Sequence, residues 1–214
     1  MAFDMGWNFR ATVGYVTDDA NYGVFATDTH AYPRTYTNGD GQSVNAGWST
    51  GVSGGSQDLA SGNDPRIAGD VYNAAANIAN FRIDLSSGSA PGAGTYTVDL
   101  AFGDPAGSRI ANFEVKDDAT VVIDGRNGGA GFTTATGHFI DATLADVAAT
   151  TTWTGATASK AFASTTVNVN VDPDNVGGYT LINHFRLTLQ GGAAADVRLE
   201  HLAYGIGRGI LIGR

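Results

Sequence analysis

The sequence predicts an all-β protein, an antiparallel jelly-roll β-sandwich with a short helical element and a C-terminal arm. Three observations carry this. Between Ala79 and Asp124 apolar and polar residues alternate with period two, and each run stops at Gly, Asp or Pro; that is the pattern of strands with one face on a core and one in water. Asp outnumbers Glu 19 to 2 and Arg outnumbers Lys 10 to 2, whereas helix surfaces favour Glu and Lys and turns favour Asp. Thirty Gly and many Thr and Val point the same way.

Taken in order, Phe3 to Met5 and Ala11 to Val16 read as the first short strands. Thr17 to Asn80 is dominated by turn chemistry, as in Asn38-Gly39-Asp40-Gly41 and Asn63-Asp64-Pro65, yet it carries the rings of Tyr22, Phe25, Tyr32, Tyr36 and Trp48. Val71 to Ile78, rich in Ala and Asn, supplies the expected helical turns. Strands follow at Asn80–Leu85, Gly94–Asp104, Phe113–Val115 and Val121–Asp124, with a glycine loop from Gly125 to Gly137. His138–Leu144 resumes as a strand, and Ala148–Ser164 reads as a loop with an edge strand near Trp153. Thr165–Val171 alternates, Asp172-Pro173-Asp174-Asn175 turns, and Tyr179–Leu189 is another strand, while the apolar tail after Val197 reads either as a final strand with a packed terminus or as an assembly device. Phe81, Ile83, Tyr96, Val98, Leu100, Val169 and Leu187 are the expected core. The sandwich is assigned to 1–190, and a hinge and arm to 191–214.

Composition excludes several classes. A chain of 214 residues, 43% apolar, can bury a substantial core. A net charge of −9 disfavours a nucleic-acid surface, which needs clustered Lys and Arg. Without cysteine there is no disulfide, thiolate metal site or cysteine nucleophile. Met1–Trp7 lack the basic and apolar regions of a secretory leader and no run of 18 apolar residues occurs, so, if Met1 is the natural start, neither the usual export route nor a membrane partner is expected.

Chemistry-bearing motifs are sparse. Gly51-Val52-Ser53-Gly54-Gly55 fits the G-x-S-x-G string of serine hydrolases, but that elbow needs a strand before it and a helix after it. His30, His138, His184 and His201 have no metal-binding spacing. No cofactor is expected; Asp172, Asp174 and Asn175, like Asn38 and Asp40, could offer oxygen ligands to a structural calcium, but the same residues cap tight turns, which is the favoured reading. Asp64, Arg66 and Asp70 form a polar cluster suited equally to an internal Arg–carboxylate clamp holding a loop and to a ligand. Tyr15, Tyr22, Tyr36 and Trp48 are the candidate sugar-stacking rings, set against their use as core cover. Arg208, Ile210, Leu211 and Ile212 give the arm an apolar and basic character suited to assembly with other subunits.

The order of motifs resembles the malectin-like and galactose-binding-like β-sandwich modules of polysaccharide-acting proteins. Phe3-Asp4-Met5-Gly6 resembles their opening, Gly14-Tyr15 and Gly47-Trp48 follow, and Asn80–Leu85, Gly94–Val98 and Gly103-Asp104 resemble their central signature. Thr180–Leu187 looks like their last strand. The resemblance spans roughly residues 3 to 190 and departs in the loops from Tyr22 to Arg66 and from Gly125 to Ser164, while the arm lies outside it. It implies glycan recognition.

Two functional expectations result, neither of them enzymatic. One is a structural protein of a virion surface, such as a phage capsid decoration, fibre or head-associated protein. It would contact other virion subunits or copies of itself through the arm. The other is an extracellular carbohydrate-binding module. Neither involves nucleic acid or membrane.

Overall fold

The period-two segments fold into two large sheets packed face to face. The computed structural model describes residues 2–13, 23–59, 63–74, 77–176 and 179–191. In chain order the described strands are β1 Asp4–Phe9, β2 Val24–Ala26, β3 Arg34–Thr37, β4 Ser43–Thr50, β5 Gly55–Asp58 and β6 Gly69–Ala74. Next come β7 Ala79–Asp84, β8 Gly94–Asp104, β9 Arg109–Ala111, β10 Phe113–Asp117, β11 Thr120–Asp124 and β12 Phe132–Thr134. The chain continues through β13 His138–Ile140, β14 Asp146–Ala148, β15 Ala158–Phe162, β16 Thr166–Val171, β17 Tyr179–Ile182 and β18 His184–Leu189.

One sheet runs β14-β13-β8-β18-β1-β2, with β15 also paired to β8; the other runs β11-β10-β16-β7-β4-β3. Every pairing is antiparallel except β1 with β2. The long β8 organises the first sheet. Tyr96–Ala101 pair with β18 along one edge, while the other edge is shared by β15 and β13.

Alternation decides what lies between the sheets. Met5, Trp7 and Phe9 on β1, Val98 and Leu100 on β8, and Phe185 and Leu187 on β18 meet Phe81, Ile83, Val115, Val167 and Val169 from the facing sheet, all fully buried. All seven expected core residues are therefore inside. Each such aliphatic or Phe side chain contributes about 1.5–3 kcal/mol on burial. Phe81 is the hub of the rings, 5.6 Å from Trp7, 5.1 Å from Phe9 and 5.2 Å from Trp48 between centroids. Phe102 and Phe113 stack at 4.0 Å across the sheets.

The two sheets differ on their outer faces. Asn80, Arg82, Lys116, Asn168 and Asn170 alternate with the core residues and leave the outside of the six-stranded sheet polar and partly wet. The first sheet is covered on both sides: Ile67, Ala101, Phe139, Ala149 and Trp153 form a second apolar cluster on its outside.

Two small sheets, β17-β6-β5 and β12-β9, flank this framework. Asn183, between β17 and β18, fastens the three-stranded sheet to the sandwich. Its Nδ2 donates to the Gly69 carbonyl at 2.9 Å and its Oδ1 accepts from the Gly103 amide at 3.0 Å.

Several local expectations are corrected. The helical turns expected from Val71 are the strand β6, where buried Asp70 accepts from Gln57 on β5 and buried Asn73 accepts from Ser53 in the bend before it; the described residues hold only a 3-10 turn at Asn127–Gly129. The turn-rich stretch before Asn80 contains β2 to β6, because neighbouring strands supply pairing that Gly, Ser and Asn do not promise alone. The edge strand expected at Trp153 lies at β15, and Trp153 packs as a buried ring outside any strand. Of the strand expected over Ala11–Val16, Ala11 and Thr12 lie in a bend and residues 14–16 lie outside the described residues.

Candidate functional site

The three-stranded sheet carries the best-formed recess. Gln57 lies directly opposite Asp70 in the β5–β6 ladder, and Leu181 lies opposite Tyr72 in the β6–β17 ladder. Residues two apart on a strand share a face. Gln57, Asp70, Tyr72, Tyr179 and Leu181 therefore share one face of this sheet. Arg109, from β9, closes the other side, and together Gln57, Tyr72, Arg109, Tyr179 and Leu181 line a cavity of about 200 Å³. Tyr72 and Tyr179 meet edge to face at 5.3 Å, and Tyr179 is 49% exposed at the mouth.

Beneath this lining the polar groups are incompletely matched. Asp70 is fully buried; its Oδ2 accepts from Gln57 Nε2 at 3.0 Å, but Oδ1 has no hydrogen-bond partner. Burial pushes its carboxyl up to about 8, outweighing the Gln57 hydrogen bond; the nearby Asp104 and Asp58 push in the same direction and Arg109 opposes. The shift favours the protonated form of Asp70 at neutral pH. Arg109 Nη2 pairs with buried Asp104 Oδ2 at 2.8 Å and Nη1 donates to the Ser108 carbonyl, leaving its buried Nε–H without a partner.

A second buried polar group has the opposite character. On the outside of the first sheet Asp99 accepts from Trp153 Nε1 at 3.0 Å, while Arg66 Nη1 lies at 3.5 Å and His184 Nε2 at 3.6 Å. His184 Nδ1 is 2.8 Å from Asn8 Oδ1. Burial alone would raise the Asp99 carboxyl, but the contacts with His184, Trp153 and Arg66 outweigh it and hold it down to about 2. Burial lowers the His184 value. Arg66 also grips Asp64 through Nε at 2.9 Å and Nη2 at 2.7 Å. This is the expected Arg–carboxylate clamp, holding the loop of Asp64 against Trp153; Asp70 is not part of it.

A shallower polar groove of about 520 Å³ crosses the outside of the six-stranded sheet, lined by Ser49, Thr50, Ile78, Asn80, Lys116, Asp118, Asn168 and Asn170. Its amides largely satisfy one another. Ser49 donates to Asn80, Asn80 Nδ2 to Asn170 Oδ1 at 2.6 Å, and Asn170 Nδ2 to Glu114 Oε2 at 3.0 Å.

The sugar-stacking expectation is corrected at two of its four rings. Tyr36 and Trp48 are each 4% exposed, with the Tyr36 hydroxyl on His30 Nδ1 at 3.1 Å and Trp48 Nε1 on the Thr27 carbonyl at 2.9 Å. They cover the core and have no free ring face. Tyr15 and Tyr22, like Arg208, Ile210, Leu211 and Ile212, lie outside the described residues.

At the expected calcium turn, Asp172 is buried and its Oδ1 accepts from the Val176 amide at 3.0 Å, while Asp174 Oδ2 accepts from Asn112 Nδ2 at 3.3 Å. These are turn and loop contacts, and Asn175 takes the left-handed φ of 52° within the turn. Among the described residues no three His, Asp or Glu side chains gather as a metal cage. Ser53 precedes a strand rather than a helix and bonds Asn73 Oδ1 at 2.9 Å, so the G-x-S-x-G string forms no nucleophile elbow.

The residues of the recess were missed as a group because Gln57, Tyr72, Arg109 and Tyr179 come from four separated segments. The signal available was Asp70 followed two residues later by Tyr72, an acid and a ring on one strand face. Neither a protein-family model, nor a curated protein, nor a solved structure matches this chain.

Proposed function

We propose that this chain is a non-catalytic glycan-binding β-sandwich and that the recess between β17, β6 and β9 receives one sugar ring. The observation that carries this reading is the pairing of a half-exposed Tyr179 and Tyr72 with the polar edge of Gln57 and Arg109 around a small cavity. Sugar rings present C–H faces that pack on aromatic rings and hydroxyls that need fixed donors and acceptors. The resemblance to galactose-binding-like modules agrees with this reading. A glycan array probed with the full chain tests it: binding should appear for the intact protein and vanish for Tyr179→Ala. An array silent at high protein concentration would remove it.

A second reading, a structural protein of a virion surface that uses this sandwich as scaffold, draws on the sequence of the arm. Arg208 and the apolar run Ile210-Leu211-Ile212 follow Gly191-Gly192 in the sequence, and apolar runs serve association where a chain presents them to solvent. The two readings are compatible, since a particle decoration can hold a host glycan. Light scattering after size exclusion, on the full chain and on a form ending at Gly191, tests the arm. Assembly lost with the arm supports this reading, and a monomer in both forms counts against it.

A further inference from the structure

We propose that the recess selects a sugar carrying an acetamido group, whose carbonyl oxygen accepts hydrogen bonds from Asp70 and from the Arg109 Nε–H while its methyl packs on Leu181. This rests on the reading of the recess as a sugar site and adds what that sugar must carry.

The argument starts from unmade hydrogen bonds. Asp70 Oδ1 and Arg109 Nε are both buried and without partners, which natural interiors rarely tolerate unless a ligand or water completes them. Asp70 shares its sheet face with Gln57, Tyr72 and Leu181, and Arg109 forms the opposite wall. A carboxylate buried with a single donor is costly, so Asp70 keeps its proton and Oδ1 becomes a hydroxyl donor. Two donors thus await one acceptor. An amide carbonyl has two lone pairs and takes both.

Charge and shape narrow the class. Arg109 is already neutralised by Asp104, and Asp58 lies close enough to Asp70 to be felt. The recess therefore has no surplus positive charge, and a carboxylated sugar is disfavoured. Leu181, 1% exposed, gives the floor an apolar patch suited to a methyl group. A hexose hydroxyl could also accept from both donors, but a plain hexose would leave this patch unmatched, so the methyl contact carries the selectivity.

The groups facing Asp70 are Gln57 and Asp58 from β5, Asp104 from β8 and Arg109 from β9. Ionisation of Asp70 removes one donor and sets a third negative charge beside Asp104 and Asp58, so affinity falls as pH rises through about 8.

Titration calorimetry of the full chain at pH 6.5 tests the proposal with N-acetylglucosamine, N-acetylgalactosamine, glucose, galactose and glucuronate. At least one acetamido sugar should bind tenfold or more tighter than its parent hexose. The preference should shrink at pH 9 for the natural chain but persist in Asp70→Asn, whose amide is a donor at every pH. Equal affinity for acetamido and parent sugars overturns the selectivity while leaving the sugar site standing. Preference for glucuronate overturns it in favour of a cationic site. No binding of any sugar overturns both. An Asp70→Asn variant with the natural chain's pH dependence overturns the role of Asp70.

Discussion

Asp70 and Asp99 are both buried aspartates on strands of the same molecule, yet they are held in opposite protonation states. Asp99 is surrounded by Trp153, Arg66 and His184 and stays ionised, its carboxyl at about 2. Asp70 has one side-chain donor, Gln57, and two acids nearby, and its carboxyl rises to about 8. Burial is common to both, so the partners decide. The saturated site pins a loop, whereas the unsaturated one lies under a recess with an oxygen to spare. Incompleteness, rather than burial, marks the functional candidate.

The comparison is broken most directly at Asp70. Its folded value is raised above the unfolded one, so its contribution to stability is full below about pH 4 and is lost as pH rises through about 8. Relative to Asp70→Asn, the natural chain should lose up to about 1.4 kcal/mol per pH unit across that window, read by urea unfolding at several pH values. Parallel curves for the two proteins would mean that Asp70 titrates normally.

The saturated site responds differently. Asp99→Ala removes the acceptor of the buried Trp153 Nε1–H and the carboxylate beside His184 Nε2, while Arg66 keeps Asp64, for a loss of about 1–3 kcal/mol at pH 7. A loss below about 1 kcal/mol would show that the network does not hold the loop. Its pH window is also opposite. The lowered Asp99 value adds stability that is present above the unfolded value near 4 and lost as pH falls toward 2. The lowered His184 value likewise gives stability present above its unfolded value near 6.5 and lost as pH falls below it. Between about pH 4 and 2 acid unfolding should therefore be shallower in Asp99→Ala.

Smaller effects sharpen the contrast between recess and sheet face. Tyr179→Ala should lower stability by only about 0.5–1.5 kcal/mol, the value of its edge contact with Tyr72, while reducing sugar binding tenfold or more. Thr50→Ala, in the polar groove of the six-stranded sheet, should change stability by no more than about 0.5 kcal/mol and leave that binding untouched.

The framework was readable because its strands have one face in water. Phe81 and Ile83 alternate with Asn80 and Arg82, and Val167, Val169 and Val171 with Asn168 and Asn170, so periodicity names the core. Strands β5 and β6 lack that contrast, being built largely from Gly, Ser, Gln, Asn and Asp whose pairing is supplied by distant neighbours. Trp48 and Tyr36 look alike in sequence whether they cover a core or meet a ligand, and only the position of Phe81 beside both rings decides. The recess was illegible for a related reason. Arg109 reaches Tyr179 only after the β9 and β17 segments are folded together, and the partners that separate Asp70 from Asp64 and Arg66 are tertiary.

The most direct test of the account is the carboxyl-carbon NMR titration of Asp70 in the intact protein. A midpoint near pH 8 is the predicted result. A midpoint at about 4 or below, the ordinary range of a solvated aspartate, would mean that this side chain donates nothing to a ligand at neutral pH.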